Sequence, residues 1–264
     1  MTSDPRKLES RRRFLRTAAT GAGAVCFSLA GFFPIALRRH PRLRPPGALE
    51  EHDFLSACIK CGQCVQVCPV AALKPAELDD GFGVGVPYYQ PREQACDFSC
   101  DVGQCILACP TGALTYHRQA FLTQQPAAVL PAAPVLLARL SEPDPTVNLT
   151  QRMGVAKLVR PEACLASKGL GVKGTARGEH FQGRKRWSEV DRWKPQPVRE
   201  HPYDLERCDL CVRECPVQGA ISMETVEGVA RPVVHPACVG CGVCEMICPV
   251  EAPCLVVEPE GGRP

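Results

Sequence analysis

The chain has 264 residues, of which 45% are hydrophobic but only 6% aromatic, and it contains 26 prolines, 22 glycines and 18 cysteines. This composition predicts many turns and short elements, so something other than a large apolar core must hold the fold together. The formal charge of +3 arises because residues 1–44 contain ten basic and only two acidic residues. The rest of the chain is net negative, which removes the main support for nucleic-acid binding.

An export signal is predicted at the N-terminus. Residues 10–16 read SRRRFLR, a twin-arginine pattern, and residues 17–37 follow as a mostly apolar stretch of 21 residues. We therefore expect export by the twin-arginine machinery and a periplasmic location. Cleavage after residues 28–30 and retention as a membrane anchor both stay open, because 21 apolar residues are long enough to span a bilayer. Residues 1–44 are predicted to form this signal or anchor helix, in which Cys26 is a passive apolar residue.

Two cysteine runs match the bacterial ferredoxin pattern C-x2-C-x2-C-x3-C-P without a gap. In that pattern three thiolates from a tight loop hold one [4Fe–4S] cubane, and the last cysteine, set by its proline, points toward a second cubane. Run one (58–68) and run four (238–248) contain Cys58, Cys61, Cys64 and Cys68, and Cys238, Cys241, Cys244 and Cys248.

Two further runs are looser but end in the same Cys-x3-Cys-Pro. Run three (164–215) has only three local cysteines, and we expect Cys164 to supply the fourth, because a β-branched segment ending at Pro161 precedes it, as Pro236 precedes Cys238. Run two (96–109) contains Cys96, Cys100, Cys105 and Cys109, and run three contains Cys164, Cys208, Cys211 and Cys215. The four runs supply the sixteen ligands that four clusters need, which leaves only Cys26 and Cys254 unused.

Similar segments follow each run, at residues 70–73, 111–114, 217–221 and 250–255, so one unit is used four times. A short helix after each loop and a return strand such as residues 255–257 would make the β-loop-α-β half of a ferredoxin. Residues 45–264 are therefore predicted to form an α+β, loop-rich domain of two ferredoxin-like, double-cubane modules. The simplest pairing joins run one with run four and run two with run three, although the sequence does not exclude other pairings.

Other uses of the cysteines fit the spacing less well. Disulfides are common in exported proteins but do not require 2-2-3 spacing closed by Cys-Pro. Zinc takes four ligands in two pairs rather than a run of four. A catalytic or maturation protein with structural clusters would need an open site, and the sequence indicates no independent catalytic residues.

An excursion at residues 165–207 separates Cys164 from the rest of run three. It contains Trp187 and Trp193 and ten basic against six acidic residues. A solvated surface loop is the simpler interpretation. A docking patch is the alternative, since tryptophan and arginine are enriched where partners anchor.

Together with the twin-arginine leader, several stretches resemble the NapG/MauM type of ferredoxin-like proteins, which are periplasmic quinol-dehydrogenase components associated with nitrate reduction and methylamine oxidation. The chain departs from that type in the three residues between Cys96 and Cys100, where two are usual, and in the length of the excursion after Cys164. The matching stretches beyond the leader are residues 42–49 (RLRPPGAL), 58–69 (CIKCGQCVQVCP), 153–156 (MGVA) and 207–211 (RCDLC).

The resemblance implies a place in an electron-transfer route. Proteins of this type take electrons from a membrane quinol-oxidising partner and pass them to a soluble periplasmic reductase or cytochrome. We therefore expect an electron-transfer component of a quinol dehydrogenase. The alternative is an iron–sulfur subunit bound tightly to a molybdenum-type oxidoreductase.

Overall fold

The computed structural model describes most of the chain and divides it into two compact units. The described residues are 5–36, 41–81, 83–100, 103–115, 153–187, 194–226 and 228–259. One unit comprises Met1–His40 with Ala76–Val84, and the other comprises Pro41–Pro75 with Gly85–Pro264.

A single long helix, α1 (Pro5–Ala36), forms most of the first unit. The described side chains along it, including Cys26, are exposed. Within the described ranges, no helix combines the length and the hydrophobicity needed to cross a membrane. Leu37, the last residue of the predicted apolar stretch, lies outside those ranges.

The second unit contains short helices, as expected for a chain rich in proline and glycine. One of them, α2 (Glu51–Ala57), precedes run one. The other α-helices are single turns that carry the third cysteine of their run: α3 (Gln63–Gln66), α4 (Gln104–Leu107), α5 (Leu210–Arg213) and α6 (Val243–Met246). Gly62 and Gly242, which begin two of these turns, have φ angles of +74° and +85°. A residue without a side chain adopts this left-handed conformation at little cost, so the chain can fold back around the thiols.

The strands pair in two-stranded antiparallel sheets. The pairs are β1 (Leu73–Pro75) with β2 (Pro87–Tyr89), β3 (Val155–Leu158) with β10 (Leu255–Glu258), β4 (Val172–Thr175) with β7 (Pro202–Leu205), β5 (Arg184–Lys185) with β6 (Gln196–Pro197), and β8 (Ile221–Val226) with β9 (Val229–Val234). The predicted α+β mixture is therefore confirmed. So is the predicted return strand β10, which aligns Leu255 with Leu158.

Strands also lead to two cysteines in the way that the sequence predicts. A 3-10 turn at Pro161–Ala163 joins β3 to Cys164, and a turn at Pro236 and Ala237 joins β9 to Cys238. A proline follows each strand, and because it lacks a backbone donor and fixes its own φ angle, it favours the turn that leads to the cysteine.

The described residues of the excursion at 165–207 are folded against the domain, so the interpretation as a solvated surface loop is wrong. The docking-patch alternative stays a prediction, although not with Trp187 as its anchor. The excursion forms two of the two-stranded sheets. Trp187 is 1% exposed and stacks on His201 with ring centroids 3.9 Å apart, so it is a core residue and not an exposed docking anchor. Trp193 lies outside the described residues.

A buried ion pair fixes this excursion to run three. Lys185 Nζ lies 2.6 Å from a carboxylate oxygen of Glu214, and the two side chains are 10% and 8% exposed. The hydroxyl of Tyr203 donates to the other carboxylate oxygen at 3.0 Å. Removing either charge would strongly destabilise the fold, because the other charge would then be buried without a partner.

The segment before run one joins distant parts of the second unit. Arg44 is buried and donates two hydrogen bonds to Glu51, at 2.8 and 2.6 Å, and a third to the carbonyl of Pro87 at 3.0 Å. Leu43 forms an isolated β-bridge with Tyr89, and Ala48 forms another with Leu114, in the segment that follows run two. These contacts give a structural reason for the RLRPPGAL stretch.

We expect Lys185→Met to destabilise the protein strongly, by about 3–5 kcal/mol, because Glu214 would remain buried without its counter-ion. The change would appear as a lower thermal unfolding midpoint of the anaerobically purified protein at a fixed scan rate. Lys157→Met is the matched control, since Lys157 pairs with Glu258 at 2.5 Å but both side chains are at least half exposed. This control should change stability by less than about 1 kcal/mol. Equal effects of the two substitutions would contradict the role of the Lys185–Glu214 ion pair as a buried interaction that stabilises the fold.

Candidate metal centres

The structure gathers the sixteen cysteines of the four runs into four groups of four. Group 1 is built around Cys64, the third cysteine of run one. Burial, followed by the negative charges of neighbouring thiolates, raises the pKa of Cys64 to about 11. The neighbours are Cys58, Cys61 and Cys109. Cys61 is exposed, so this group lies close to the surface.

Group 2 combines three cysteines of run two with one of run one. Burial raises the pKa of Cys96 well above its usual value, and the nearby thiolates raise it further. Those neighbours are Cys100, Cys105 and Cys68. The pKa of Cys100 and that of Cys105 are raised for the same reasons, with Cys68 again among the neighbouring charges.

Run one therefore pairs with run two, and the simplest pairing inferred from the sequence is wrong. Cys68 lies with group 2 rather than beside run four, and Cys109 lies with group 1 rather than beside run three. The helices α3 and α4 of the two runs pack together. Neighbouring runs are favoured because the entropy lost on closing a loop grows with its length.

Groups 3 and 4 repeat this arrangement with runs three and four, whose helices α5 and α6 also pack together. In both groups burial is the largest cause of the raised thiol pKa values. Neighbouring thiolates raise these pKa values further, whereas backbone hydrogen bonds to the sulfur atoms lower them in part. Group 3 comprises Cys164, Cys208, Cys211 and Cys248, and group 4 comprises Cys215, Cys238, Cys241 and Cys244. The structure thus places Cys164 beside the local cysteines of run three, across the whole excursion.

The four groups lie in the order 1, 2, 4, 3. Cys105 of group 2 is near Cys64 of group 1, and Cys244 of group 4 is near Cys211 of group 3. Groups 2 and 4 meet where the backbone N–H of Cys96 donates to the carbonyl of Cys241 at 3.1 Å. The four groups therefore form a continuous row.

A buried tyrosine marks the joint between groups 2 and 4. The hydroxyl of Tyr89, which is 1% exposed, donates to the carbonyl of Gly240 at 2.5 Å. Burial, followed by the charges of Cys96 and Cys241, raises the pKa of Tyr89 well above its usual value. The neutral, hydrogen-bonded phenol is thus the stable form at this joint.

Cavities open onto groups 3 and 4. A cavity with an empty volume of about 380 Å3 is lined by the four thiols of group 3 together with Cys244, Cys254 and apolar side chains such as Leu210 and Leu255. A second cavity, of about 270 Å3, is lined by the four thiols of group 4 and by apolar residues such as Val217 and Val257. Both are sulfur-lined spaces with apolar neighbours, and both are partly open to solvent, which these volumes include.

These donor sets fit iron–sulfur clusters. All ligand candidates in each group are thiols, which are soft ligands suited to iron in a cluster. No disulfide joins any of the eighteen cysteines, all of which are described by the structure. Among the described residues, no three histidine, cysteine or acidic side chains are placed to share one metal ion.

Backbone N–H groups donate to several of the thiols, Cys68 and Cys109 among them. The N–H of Ala72 lies 3.3 Å from Cys68 Sγ, and the N–H of Leu114 lies 3.4 Å from Cys109 Sγ. Burial alone would raise the pKa of Cys109, but hydrogen bonds from Leu114 and Thr111 outweigh it, so the pKa is lowered. Donors of this kind stabilise a thiolate and tune the potential of a cluster that it holds.

Arg92 is a further residue at these sites, and the sequence analysis missed it because no motif marks a single arginine. It lies between β2 and Cys96, and its guanidinium donates to four carbonyls around the end of run four. The acceptors are Glu245 and Cys248, both at 2.9 Å, and Val250 and Glu251, both at 2.6 Å. Arg92 thus fixes the segment that carries Cys248 to the half of the domain that holds groups 1 and 2.

Comparison with protein families gives two matches. Residues 57–113 match a family described as a 4Fe-4S dicluster domain, and this match contains runs one and two together. Residues 235–251 match a family described as a 4Fe-4S binding domain, which contains run four. The first match agrees with the observed pairing of runs one and two.

Three curated relatives are similar over nearly the whole chain. A methylamine utilization ferredoxin-type protein MauM from Paracoccus denitrificans is 35% identical over 92% of this chain and 84% of its own length. A ferredoxin-type protein NapG from Escherichia coli is 33% identical over 98% of this chain and 90% of its own length. A MauM protein from Methylorubrum extorquens is 31% identical over 97% of this chain and 94% of its own length. No solved structure matches the chain significantly.

Tyr89→Phe tests the joint between groups 2 and 4. Without the hydroxyl, the Gly240 carbonyl loses its buried donor, and we expect a loss of about 1–3 kcal/mol at neutral pH. The folded-state pKa of Tyr89 lies above that of the unfolded chain, so its stabilisation is complete below about pH 10 and declines as the pH rises further. Unfolding of both proteins should be followed anaerobically from pH 7 to pH 11. A difference between them that is absent at pH 7, or that does not shrink above pH 10, would contradict this role.

Proposed function

Because this chain belongs to the NapG and MauM family of ferredoxin-type proteins, we propose that it is a periplasmic electron-transfer protein carrying four [4Fe–4S] clusters. The observation that carries the proposal is the row of four groups, each with four thiols from two neighbouring runs. A [4Fe–4S] cluster, when bound, supplies reversible one-electron chemistry.

The protein's own residues would define each site. Groups 1 to 4 would each hold one cluster, and Cys68, Cys109, Cys215 and Cys248 would be the ligands exchanged between paired runs. Burial of Cys241 and Cys244 would exclude water from the middle of the row. Hydrogen bonds to Cys68, Cys109 and other thiols would tune the sites, since hydrogen bonding to sulfur is one determinant of cluster potential.

The proposed route begins at a membrane quinol-oxidising protein and ends at a periplasmic reductase or cytochrome. Support comes from the twin-arginine pattern at residues 10–16, since that machinery exports folded proteins with their metal centres in place. It also comes from the family, whose members in Paracoccus denitrificans and Escherichia coli are ferredoxin-type proteins. A row of redox centres suits transfer between two partners better than catalysis at one site.

Four clusters predict about 16 iron atoms per chain in anaerobically purified protein. Cys241→Ala should lose about four of them and lower the unfolding midpoint, because cluster binding contributes folding energy. Cys254→Ala, which removes a buried cysteine outside the runs, should keep the full iron content. Iron and sulfide analysis together with electron paramagnetic resonance of the reduced protein would measure both. Full iron in Cys241→Ala would contradict the ligand assignment.

Deletion of the gene should abolish the quinol-driven activity of the periplasmic reductase while leaving its activity with an artificial electron donor intact. The measurement is the reductase rate with each donor in membranes and periplasm from deleted and complemented cells. Unchanged quinol-driven activity would argue against the proposed route. Loss of activity with both donors, with co-purification of a large catalytic chain, would instead favour a permanent subunit of a molybdenum-type oxidoreductase.

A further inference from the structure

Group 3 has a fifth thiol beside it. Cys254 is 3% exposed and lines the same cavity of about 380 Å3 as Cys164 and Cys248. Cys164, Ala166 and Cys254 form one buried cluster, against which Cys248 packs. A thiol in this position faces the space that the group 3 ligands enclose.

The backbone holds Cys254 next to the segment that delivers Cys164. The carbonyl of Cys254 accepts hydrogen bonds from the N–H groups of Val159, at 2.8 Å, and Arg160, at 3.3 Å. The Arg160 guanidinium also donates to the carbonyl of Pro253 at 2.5 Å. Val159 and Arg160 directly precede the 3-10 turn that leads to Cys164, so the two thiols are carried by segments that are bonded to each other.

Cys164 is the group 3 ligand that lies farthest along the chain from the other cysteines of run three. The other three come from the compact ends of runs three and four, whereas Cys164 is separated from Cys208 by the whole excursion at residues 165–207. Ordering a ligand across a long connection costs more chain entropy than ordering one inside a tight loop. A second thiol at this corner would make the site less dependent on that connection.

Group 4 provides the contrast. Its cavity of about 270 Å3 is lined, in the described part of the chain, by the cysteines Cys215, Cys238, Cys241 and Cys244 and by no fifth cysteine. Cys238 is the counterpart of Cys164 there, since each follows a strand and a turn that contains proline. Apart from Cys244, which belongs to group 4 and lines both cavities, the two sites thus differ in one thiol, that of Cys254.

We propose that Cys254 is a reserve ligand of group 3 that binds iron in place of Cys164 when Cys164 is absent, an inference that rests on the four-cluster proposal above. In that exchange the Cys254 thiol loses its proton to solvent and its Sγ forms the iron–sulfur bond that Cys164 would have made. Nothing is oxidised or reduced. With Cys164 present, four ligands are already supplied and Cys254 remains a protonated neighbour.

The test compares four full-length variants with the wild type: Cys164→Ala, Cys254→Ala, the double variant, and Cys238→Ala as the matched control. Each is purified anaerobically, and iron and sulfide are counted per chain. We expect Cys164→Ala and Cys254→Ala to keep the wild-type iron content, and the double variant and Cys238→Ala each to lose about four iron atoms. Electron paramagnetic resonance of reduced Cys164→Ala should show an altered signal for one cluster, because one of its ligands has changed position.

Loss of the same iron from Cys164→Ala as from the double variant would overturn the inference. So would failure of Cys164→Ala to accumulate while Cys254→Ala accumulates, because a reserve ligand should preserve the fold. Full iron in Cys238→Ala would also overturn it, since that site would then tolerate the loss of a ligand with no reserve thiol. A wild-type protein with far fewer than about 16 iron atoms would instead refute the four-cluster proposal itself.

Discussion

Each run places its last cysteine with the other run of its pair, and this exchange is the constraint on which the fold depends. Cys68 lies with the thiols of run two, and Cys109 lies with those of run one. Neither run can complete a group of four alone, so the two must fold together. This mutual dependence explains how one-turn helices and two-stranded sheets suffice, because the sites themselves hold the loops in place.

Polar contacts join the two halves of the domain in addition to the apolar core that the halves share. Tyr89 and Arg92 come from the half that holds groups 1 and 2, and both donate to carbonyls of run four or of the residues directly after it. Arg92 uses a planar, permanently charged group to satisfy several carbonyls at once, which a lysine could not do with the same geometry. Both side chains act on the backbone close to cysteines, so they hold the thiols in position as well as the halves together.

The sequence predicted which cysteines belong to each run better than it predicted which runs pair. Spacing within a run is local and reports directly which residues share a loop, and even Cys164 could be assigned from the strand and proline before it. Pairing depends on which loops pack together, and four similar repeats carry no signal that distinguishes one partner from another. The sequence also could not show that Trp187 is buried, because its burial depends on His201 and on an ion pair with a residue outside the excursion. Arg92 shows the same limit, since its importance comes entirely from carbonyls that lie more than 150 positions away.

The order of the groups has a kinetic consequence. If each group holds a cluster as proposed, the row would have two termini, group 1, with the exposed Cys61, and group 3. A carrier with one redox centre must release its donor before it meets its acceptor, because both need the same surface. In a carrier with two termini, both partners can be bound during a single turnover. Its throughput is then limited by transfer along the protein rather than by diffusion between successive encounters.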